Sequence, residues 1–228
     1  MSNLWVFGYG SLVWRPGFDY SESLIGYISG FQRGFWQGSD VHRGSAKREV
    51  TWGRAFRMKD EETARAYLDN RESALGGYAT KITTFYPRDP KEEPFAVLVY
   101  IALPSNSLYL GADSPSKMAK DIAESWGTCG PNVEYLAKLA AFMRLNVPNV
   151  CDDHLFTLES LVKKYLETYN PILLHYFEDA VIDDKDMLIE AWNKNSLTDE
   201  SERESEQKPK LMHFTDIVPS RSLRCVKK

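Results

Sequence analysis

In this 228-residue chain, apolar patterns typical of strands come first and patterns typical of helices follow. Before Pro104, short runs rich in β-branched and aromatic residues predict strands over 4–7, 23–29, 31–36, 50–58, 78–86 and 95–103. One helix interrupts them, over 60–70, with Asp60 as its N-cap. After Pro104, helical spacing covers 116–126, 132–145 and 152–169, with Ser116 and Asn132 as candidate caps. This order predicts an α+β fold, in which helices pack a twisted sheet or small barrel.

Charge divides the chain into two parts. Residues 1–166 hold 19 basic and 19 acidic side chains, whereas the whole chain holds 28 and 32, for a net charge of −4. The acidic excess therefore lies in 167–228, where the segment 199–208 contains no apolar residue. We predict one domain over 1–169 and an acidic, partly disordered extension over 170–228. The balanced domain argues against a nucleic-acid partner.

Several other classes of protein are disfavoured by the composition. The apolar stretch 96–103 is too short to span a membrane, and no secretory signal is visible at the N-terminus. Cys129, Cys151 and Cys225 are too widely spaced to indicate a disulfide framework or a zinc ribbon. The four histidines show no metal-ligand spacing, so a zinc site is not expected. The cytoplasm is the expected compartment.

A glycine loop follows the first predicted strand. The segment Gly8-Tyr9-Gly10-Ser11-Leu12 can present successive backbone N–H groups with little side-chain obstruction, which suits a carboxylate or a phosphate. Val13 stands where the dinucleotide fingerprint requires glycine, and no Gly-Lys-Ser/Thr follows. A plain tight turn is the alternative and, for the loop alone, the more frequent case.

Glu72 is the candidate general acid and base. It lies just past the predicted helix, beside apolar residues and the flexible pair Gly76-Gly77. Partial burial there would raise the pKa of its carboxyl toward neutrality and suit it to proton transfer. The alternative is a surface glutamate that is paired with Arg71. The loop His42-Arg43-Gly44 is interpreted as a polar loop over an aromatic core.

Taken together, colinear segments over residues 4–166 resemble the ChaC-type, glutathione-specific γ-glutamylcyclotransferases. The segments that carry the resemblance are 5–14 (WVFGYGSLVW), 33–38 (RGFWQG), 42–44 (HRG), 67–72 (YLDNRE), 76–78 (GGY), 85–87 (FYP), 109–111 (YLG), 130–136 (GPNVEYL) and 153–155 (DHL). The spacing from Glu72 to Tyr78 is similar to that of the stress-induced branch of the family.

The resemblance implies a small β-barrel with flanking helices and a lyase activity. The reaction it implies converts glutathione into 5-oxoproline and cysteinylglycine without a cofactor or metal, and with no nucleic-acid or membrane partner. Glu72 is then the catalytic residue. Glutathione would bind at Val6, Phe7, Gly8, Tyr9, Gly10, Ser11, Leu12 and Tyr135.

One segment departs from the family pattern. Relatives carry enough residues for a strand and a turn between their His-Arg-Gly and Trp-Gly motifs, but here only 45–51 (SAKREVT) joins Gly44 to Trp52. This predicts a lost or merged strand and an open barrel edge. It keeps open a second hypothesis, a low-activity or inactive member that acts as a binding or regulatory protein in stress or apoptotic signalling. A cyclotransferase for other γ-glutamyl compounds is the third.

Overall fold

The computed structural model describes residues 4–31, 33, 50–74, 78–102, 113–127 and 130–181. Five strands form a closed barrel: β1 (Trp5–Gly8), β2 (Tyr20–Ser29), β3 (Val50–Met58), β4 (Tyr78–Pro87) and β5 (Phe95–Ala102). Their order around the barrel is β1-β3-β2-β4-β5. The β1–β5 pair is parallel and the other four are antiparallel. Each strand is thus paired on both sides, so the expectation of an open barrel edge is wrong.

Alternating side chains of the strands fill the interior of the barrel. Phe7, Ile28, Ala55 and Phe85 contribute to one buried cluster there, as expected when every second residue of a strand points inward. Gly53 sets the spacing of β1 and β3, because a Cβ at Gly53 would stand 2.1 Å from the carbonyl oxygen of Gly8. The first strand can therefore lie close against β3 and deliver the glycine loop to one end of the barrel.

Four helices have the predicted order but not all of the predicted caps. They are α1 (Glu61–Leu68), α2 (Pro115–Glu124), α3 (Asn132–Asn146) and α4 (Asp153–Tyr169). Asp60 caps α1 as predicted, since its carboxylate accepts from the backbone N–H of Glu62 and Thr63. Ser116 is not a cap: Ser114 caps α2, and Pro115 takes the first helical position that suits proline. Nor is Asn132, which is the first residue of α3 and follows Pro131.

A second core lies among α2, α3 and α4, and it includes Val13 from the end of the glycine loop. This core continues past α4: Pro171–Leu174 form a 3-10 turn, and residues 175–181 are helical. Leu173 is buried in the shared core, and Ala180 packs against Ala137 and Ala141 of α3. Packing therefore extends beyond residue 169, where the sequence predicts the domain boundary.

Several sequence predictions fall outside the described residues: the His42 loop, Cys129, Cys225 and the acidic segment 199–208. Of the predicted strand 31–36, only Phe31 and Arg33 are described, and neither lies in a strand. Two short strands, Trp126–Gly127 and Gly130–Pro131, pair antiparallel with each other immediately before α3. Within the described ranges, no helix has the length and apolar character needed to cross a membrane.

Candidate active site

The glycine loop is fixed by contacts from both the barrel and the polypeptide that follows it. Residues 9–10 connect β1 to a 3-10 turn, Ser11–Val13, whose backbone closes on the carbonyl of Gly10 through the N–H of Val13 at 3.0 Å. The Tyr9 hydroxyl donates to the backbone carbonyl of Tyr100 on β5 at 2.9 Å. These bonds hold the loop against the rim of the barrel.

Tyr135 of α3 reaches the same loop. A Cβ at Gly10 would stand 2.5 Å from the Tyr135 hydroxyl oxygen, so only glycine leaves room for this approach. The Tyr135 ring packs edge-on against Trp14, with 5.3 Å between the ring centroids. Gly10 and Tyr135 are therefore neighbours, although 125 positions separate them in the sequence. Both are candidates for substrate binding.

Arg33 joins the loop to the start of α4. Its Nε donates to the Tyr9 carbonyl at 3.2 Å, and its Nη1 lies 2.6 Å from Asp152 Oδ2. A third bond, from Nη2 to the carbonyl of Trp52 at 2.5 Å, ties the same guanidinium to β3. Asp152 is also the N-cap of α4, since its carboxylate accepts from the N–H of Leu155 at 3.1 Å.

No role for this buried pair was predicted from the sequence. The Arg33 side chain is 5% exposed and that of Asp152 17%. A signal was present, because Arg33 opens one motif of the resemblance and Asp152 directly precedes another. Arginine suits a junction of this kind, since its planar fork can donate to several acceptors at fixed angles.

His154 lies beside the same pair. Burial lowers the pKa of His154 to about 4, with the Asp152 carboxylate opposing this shift and the Arg33 guanidinium adding to it. The imidazole is therefore neutral near pH 7. His154 supplies no positive charge to this end of α4 at that pH.

Glu72 lies in a π-helical turn, Asp69–Ala74, that continues α1. Turns of this type widen the backbone and occur frequently at functional sites. The Glu72 side chain is only 8% exposed, and its Oε1 lies 3.2 Å from Arg71 Nε. The alternative interpretation from sequence thus named the correct partner but the wrong location, because this ion pair is buried. Burial penalises the charged carboxylate, and the guanidinium stabilises it.

Arg71 also reaches the glycine loop. Its Nη2 donates to Ser11 Oγ at 2.8 Å, while its Nε holds Glu72. One guanidinium therefore links the candidate catalytic carboxylate to the loop. The structure brings together Glu72, Ser11 and Arg71 at one place, and Gly10 and Tyr135 at another place on the same loop.

Three of the candidate binding residues use their side chains for packing. Val6, Phe7 and Leu12 are buried in the hydrophobic cores, at 0%, 1% and 7% exposure. Gly8 is also buried, and a Cβ there would stand 2.5 Å from Leu12 Cβ. Only the backbone of these four residues can face a ligand, whereas Tyr9, Gly10 and Ser11 are partly exposed.

A separate surface depression of about 370 Å³ lies on the outer side of α4. Its lining residues are Cys151, Asp153, Phe156, Thr157, Ser160 and Leu161. None of the loop residues, Glu72 or Tyr135 lines this depression. We therefore centre the candidate site on the glycine loop and not on this groove.

Comparison with known proteins identifies the family of this chain. The sequence model of the ChaC-like protein family matches residues 4–165, which include every candidate site residue. The chain therefore belongs to the ChaC-like family. The family match ends before Leu173 and Ala180, whose packing is described above.

Individual relatives carry the name of one activity. The glutathione-specific γ-glutamylcyclotransferase 1 of Danio rerio is 44% identical over 187 residues, covering 76% of this chain and 94% of the relative. The protein of the same name from Homo sapiens is 43% identical, covering 74% of this chain and 82% of the relative. A crystal structure of a yeast γ-glutamyl cyclotransferase specific to glutathione is 25% identical, with a TM-score of 0.61 over 75% of this chain and all of that one.

Proposed function

We propose that this chain is a glutathione-specific γ-glutamylcyclotransferase, a lyase that releases 5-oxoproline and cysteinylglycine. The observation that carries the proposal is the buried Glu72 carboxylate, joined through Arg71 to Ser11 of the glycine loop. It occurs in a chain that is 44% identical to a relative bearing the name of this activity.

The reaction replaces the amide bond to the cysteinyl residue with an amide bond inside the γ-glutamyl group. The α-amine of the γ-glutamyl group attacks its own γ-carbonyl carbon, so that a C–N bond forms and closes the five-membered ring. The bond from that carbon to the cysteinyl nitrogen breaks. The attacking nitrogen starts as an ammonium group and loses two protons, one before the attack and one as the new amide forms. The departing nitrogen gains one proton as its bond breaks and a second as it becomes an ammonium group, so water is not consumed.

Glu72 is assigned the role of proton carrier in this scheme. The attacking amine is protonated near neutral pH and must lose a proton before it becomes a nucleophile. A carboxylate at hydrogen-bond distance can accept that proton and then deliver it to the leaving amine. Burial of Glu72 supports the assignment, because proton transfer in a water-poor site is protected from exchange with solvent.

The glycine loop is assigned to the γ-glutamyl group. The backbone N–H groups of residues 8–12 would bind its carboxylate, and they would also polarise the γ-carbonyl as charge develops on its oxygen. The Tyr135 hydroxyl, which lies beside Gly10, would line the same binding site. Folding the substrate so that amine and carbonyl meet supplies a large part of the rate, since the reaction has no second reactant to recruit.

A substrate panel tests the proposal. Purified protein is incubated with glutathione, with γ-glutamyl dipeptides and with free γ-glutamyl amines, and 5-oxoproline is measured by mass spectrometry. The proposal expects release from glutathione in preference to the other compounds. Release from the other γ-glutamyl compounds alone would contradict the glutathione specificity. Binding of glutathione without release would favour the regulatory hypothesis.

The cytoplasm is part of the same proposal. Glutathione is the thiol that keeps cytosolic proteins reduced, so its substrate pool lies there. Cys151 is a free, exposed cysteine, which suits a reducing compartment. Fractionation of cells that express the tagged full-length chain tests this part separately.

A further inference from the structure

Arg71 is a charged side chain at the candidate site to which the proposed mechanism assigns no chemical step. Its side chain is 12% exposed. Its partners include Glu72 Oε1 at 3.2 Å, Ser11 Oγ at 2.8 Å, the carbonyls of Arg15 at 2.8 Å and Pro16 at 3.4 Å, and the Tyr67 hydroxyl at 3.3 Å.

The two sides of the guanidinium have different partners. Nη1 is anchored to the carbonyls after the 3-10 turn and to Tyr67, whereas Nε and Nη2 point to Glu72 and Ser11. The anchoring segment turns at Gly17, whose φ of +77° suits glycine and lets the chain pass against the Tyr67 ring. The guanidinium is thus fixed on one side and presents two donors on the other.

We propose that Arg71 is a positioning residue that keeps the Glu72 carboxylate ionised and at a fixed distance from the glycine loop. The inference rests on the proposed function, in which Glu72 must begin the cycle as a proton acceptor. A cation held beside a buried carboxylate favours its charged form. The bond to Ser11 makes the same cation a spacer between the base and the loop that holds the substrate.

Other ionisable groups near Glu72 are retained in the sequence when Arg71 is substituted. They include Asp69 on the same turn, Arg65 and Tyr67 on α1, and Tyr100 on β5. Lys81 of β4 lies over the Phe31 ring instead. Burial raises the pKa of Tyr100 well above its usual range, and its hydrogen bond to Asp69 adds to this, so this phenol stays neutral. A change in the titration of Glu72 can then be assigned to the guanidinium.

Two substitutions separate charge from geometry. Arg71→Gln removes the cation, whereas Arg71→Lys keeps it but cannot donate to Glu72, Ser11 and the backbone carbonyls together. Arg144→Gln is the control, because Arg144 also makes a paired contact with a buried glutamate, Glu159, on the α3–α4 side of the molecule. Loss of stability without a change at the site is expected from the control.

The first measurement is the pH profile of kcat/KM for glutathione. Without the cation, protonation of Glu72 becomes easier, so the acidic limb should move upward by about one pH unit or more in Arg71→Gln. At pH values below both limbs this corresponds to a loss of roughly tenfold or more beyond any change at high pH. Arg71→Lys should keep the limb of the unmodified chain but show a lower kcat, and Arg144→Gln should leave the profile unchanged.

The second measurement does not depend on activity. The carboxyl of Glu72 is titrated by NMR in protein carrying ¹³C-labelled glutamate, with Glu72→Gln identifying the signal. An upward shift of this titration in Arg71→Gln but not in Arg144→Gln supports the inference, even if the unmodified chain releases no 5-oxoproline and the proposed function fails. An active enzyme in which Arg71→Gln changes neither the titration nor the acidic limb would overturn the inference and leave the proposed function standing.

Discussion

The Tyr135 hydroxyl oxygen lies 2.5 Å from the point that a Cβ would occupy at Gly10, whereas the ring carbon behind it, Cζ, lies at 3.7 Å. The first separation is a clash, and the second is an ordinary van der Waals contact. The fit between α3 and the glycine loop therefore depends on one oxygen atom.

A double-mutant cycle tests this fit. Gly10→Ala should cost about 1–3 kcal/mol in the free energy of unfolding, as expected for overpacking against a ring that Trp14 holds in place. In a Tyr135→Phe background the same substitution should cost clearly less, because the clashing atom is gone. Urea unfolding of the four proteins gives the coupling. Equal costs in the two backgrounds would show that the hydroxyl does not lie against Gly10, and any backbone preference of alanine cancels in the comparison.

The pH dependence of stability should contain a contribution from His154. Its pKa is about 4 in the folded chain and about 6.5 when unfolded, so the unfolded state binds more protons between these values. The stabilisation is complete above about pH 6.5 and is lost as the pH falls toward 4.

Thermal unfolding at pH 7 and at pH 4.5 measures this term. The Tm of the unmodified chain should fall further across this interval than that of His154→Gln. The control His175→Gln, which changes a histidine with a 47% exposed side chain, should behave like the unmodified chain. An identical fall in all three proteins would show that His154 does not contribute to the pH dependence of stability.

Much of the barrel was predictable because its strands are local patterns. The predicted bounds of β3 match those observed, and α1 begins after its predicted cap, Asp60. The position of β3 between β1 and β2 was not predictable, since strand order depends on pairing across the sheet. The same holds for the contact between Arg33 and Asp152, which are 119 residues apart.

The candidate site was also only partly predictable from the sequence. Glycine and glutamate motifs can be found in the sequence, but burial of the Arg71–Glu72 pair depends on the glycine-loop segment folding over it. Arg71 therefore looked like a surface partner from the sequence alone. The π-helical turn at 69–74 was also missed, because helical periodicity does not distinguish it from the end of an α-helix.

The chain after α4 offers a test of where the packed body ends. Leu173 is 5% exposed and its neighbour Ile172 is 77% exposed. Leu173→Ala should cost about 2–4 kcal/mol because it leaves a cavity in the core shared by α2, α3 and α4. Ile172→Ala should change stability by no more than about 0.5 kcal/mol. Equal, small effects in urea unfolding would support a domain boundary near residue 169.

Glu72 is the proposed proton carrier of a glutathione cyclotransferase, and the chain contains a well-matched control for it. Glu159 is also a buried glutamate, 3% exposed, held by Arg144 and Lys163. Burial opposes its ionisation, but these two cations prevail and lower the pKa of Glu159 below its usual range. Replacing either glutamate by glutamine removes a buried, paired charge while keeping the size of the side chain.

The most direct measurement is the rate of 5-oxoproline release from glutathione by the unmodified chain, Glu72→Gln and Glu159→Gln, each normalised to folded protein. We expect Glu72→Gln to lose about 10²–10⁴-fold in rate, the usual contribution of general acid–base catalysis. We expect Glu159→Gln to lose thermal stability and to keep its rate. Release by Glu72→Gln at the rate of the unmodified chain would show that Glu72 does not carry the proton.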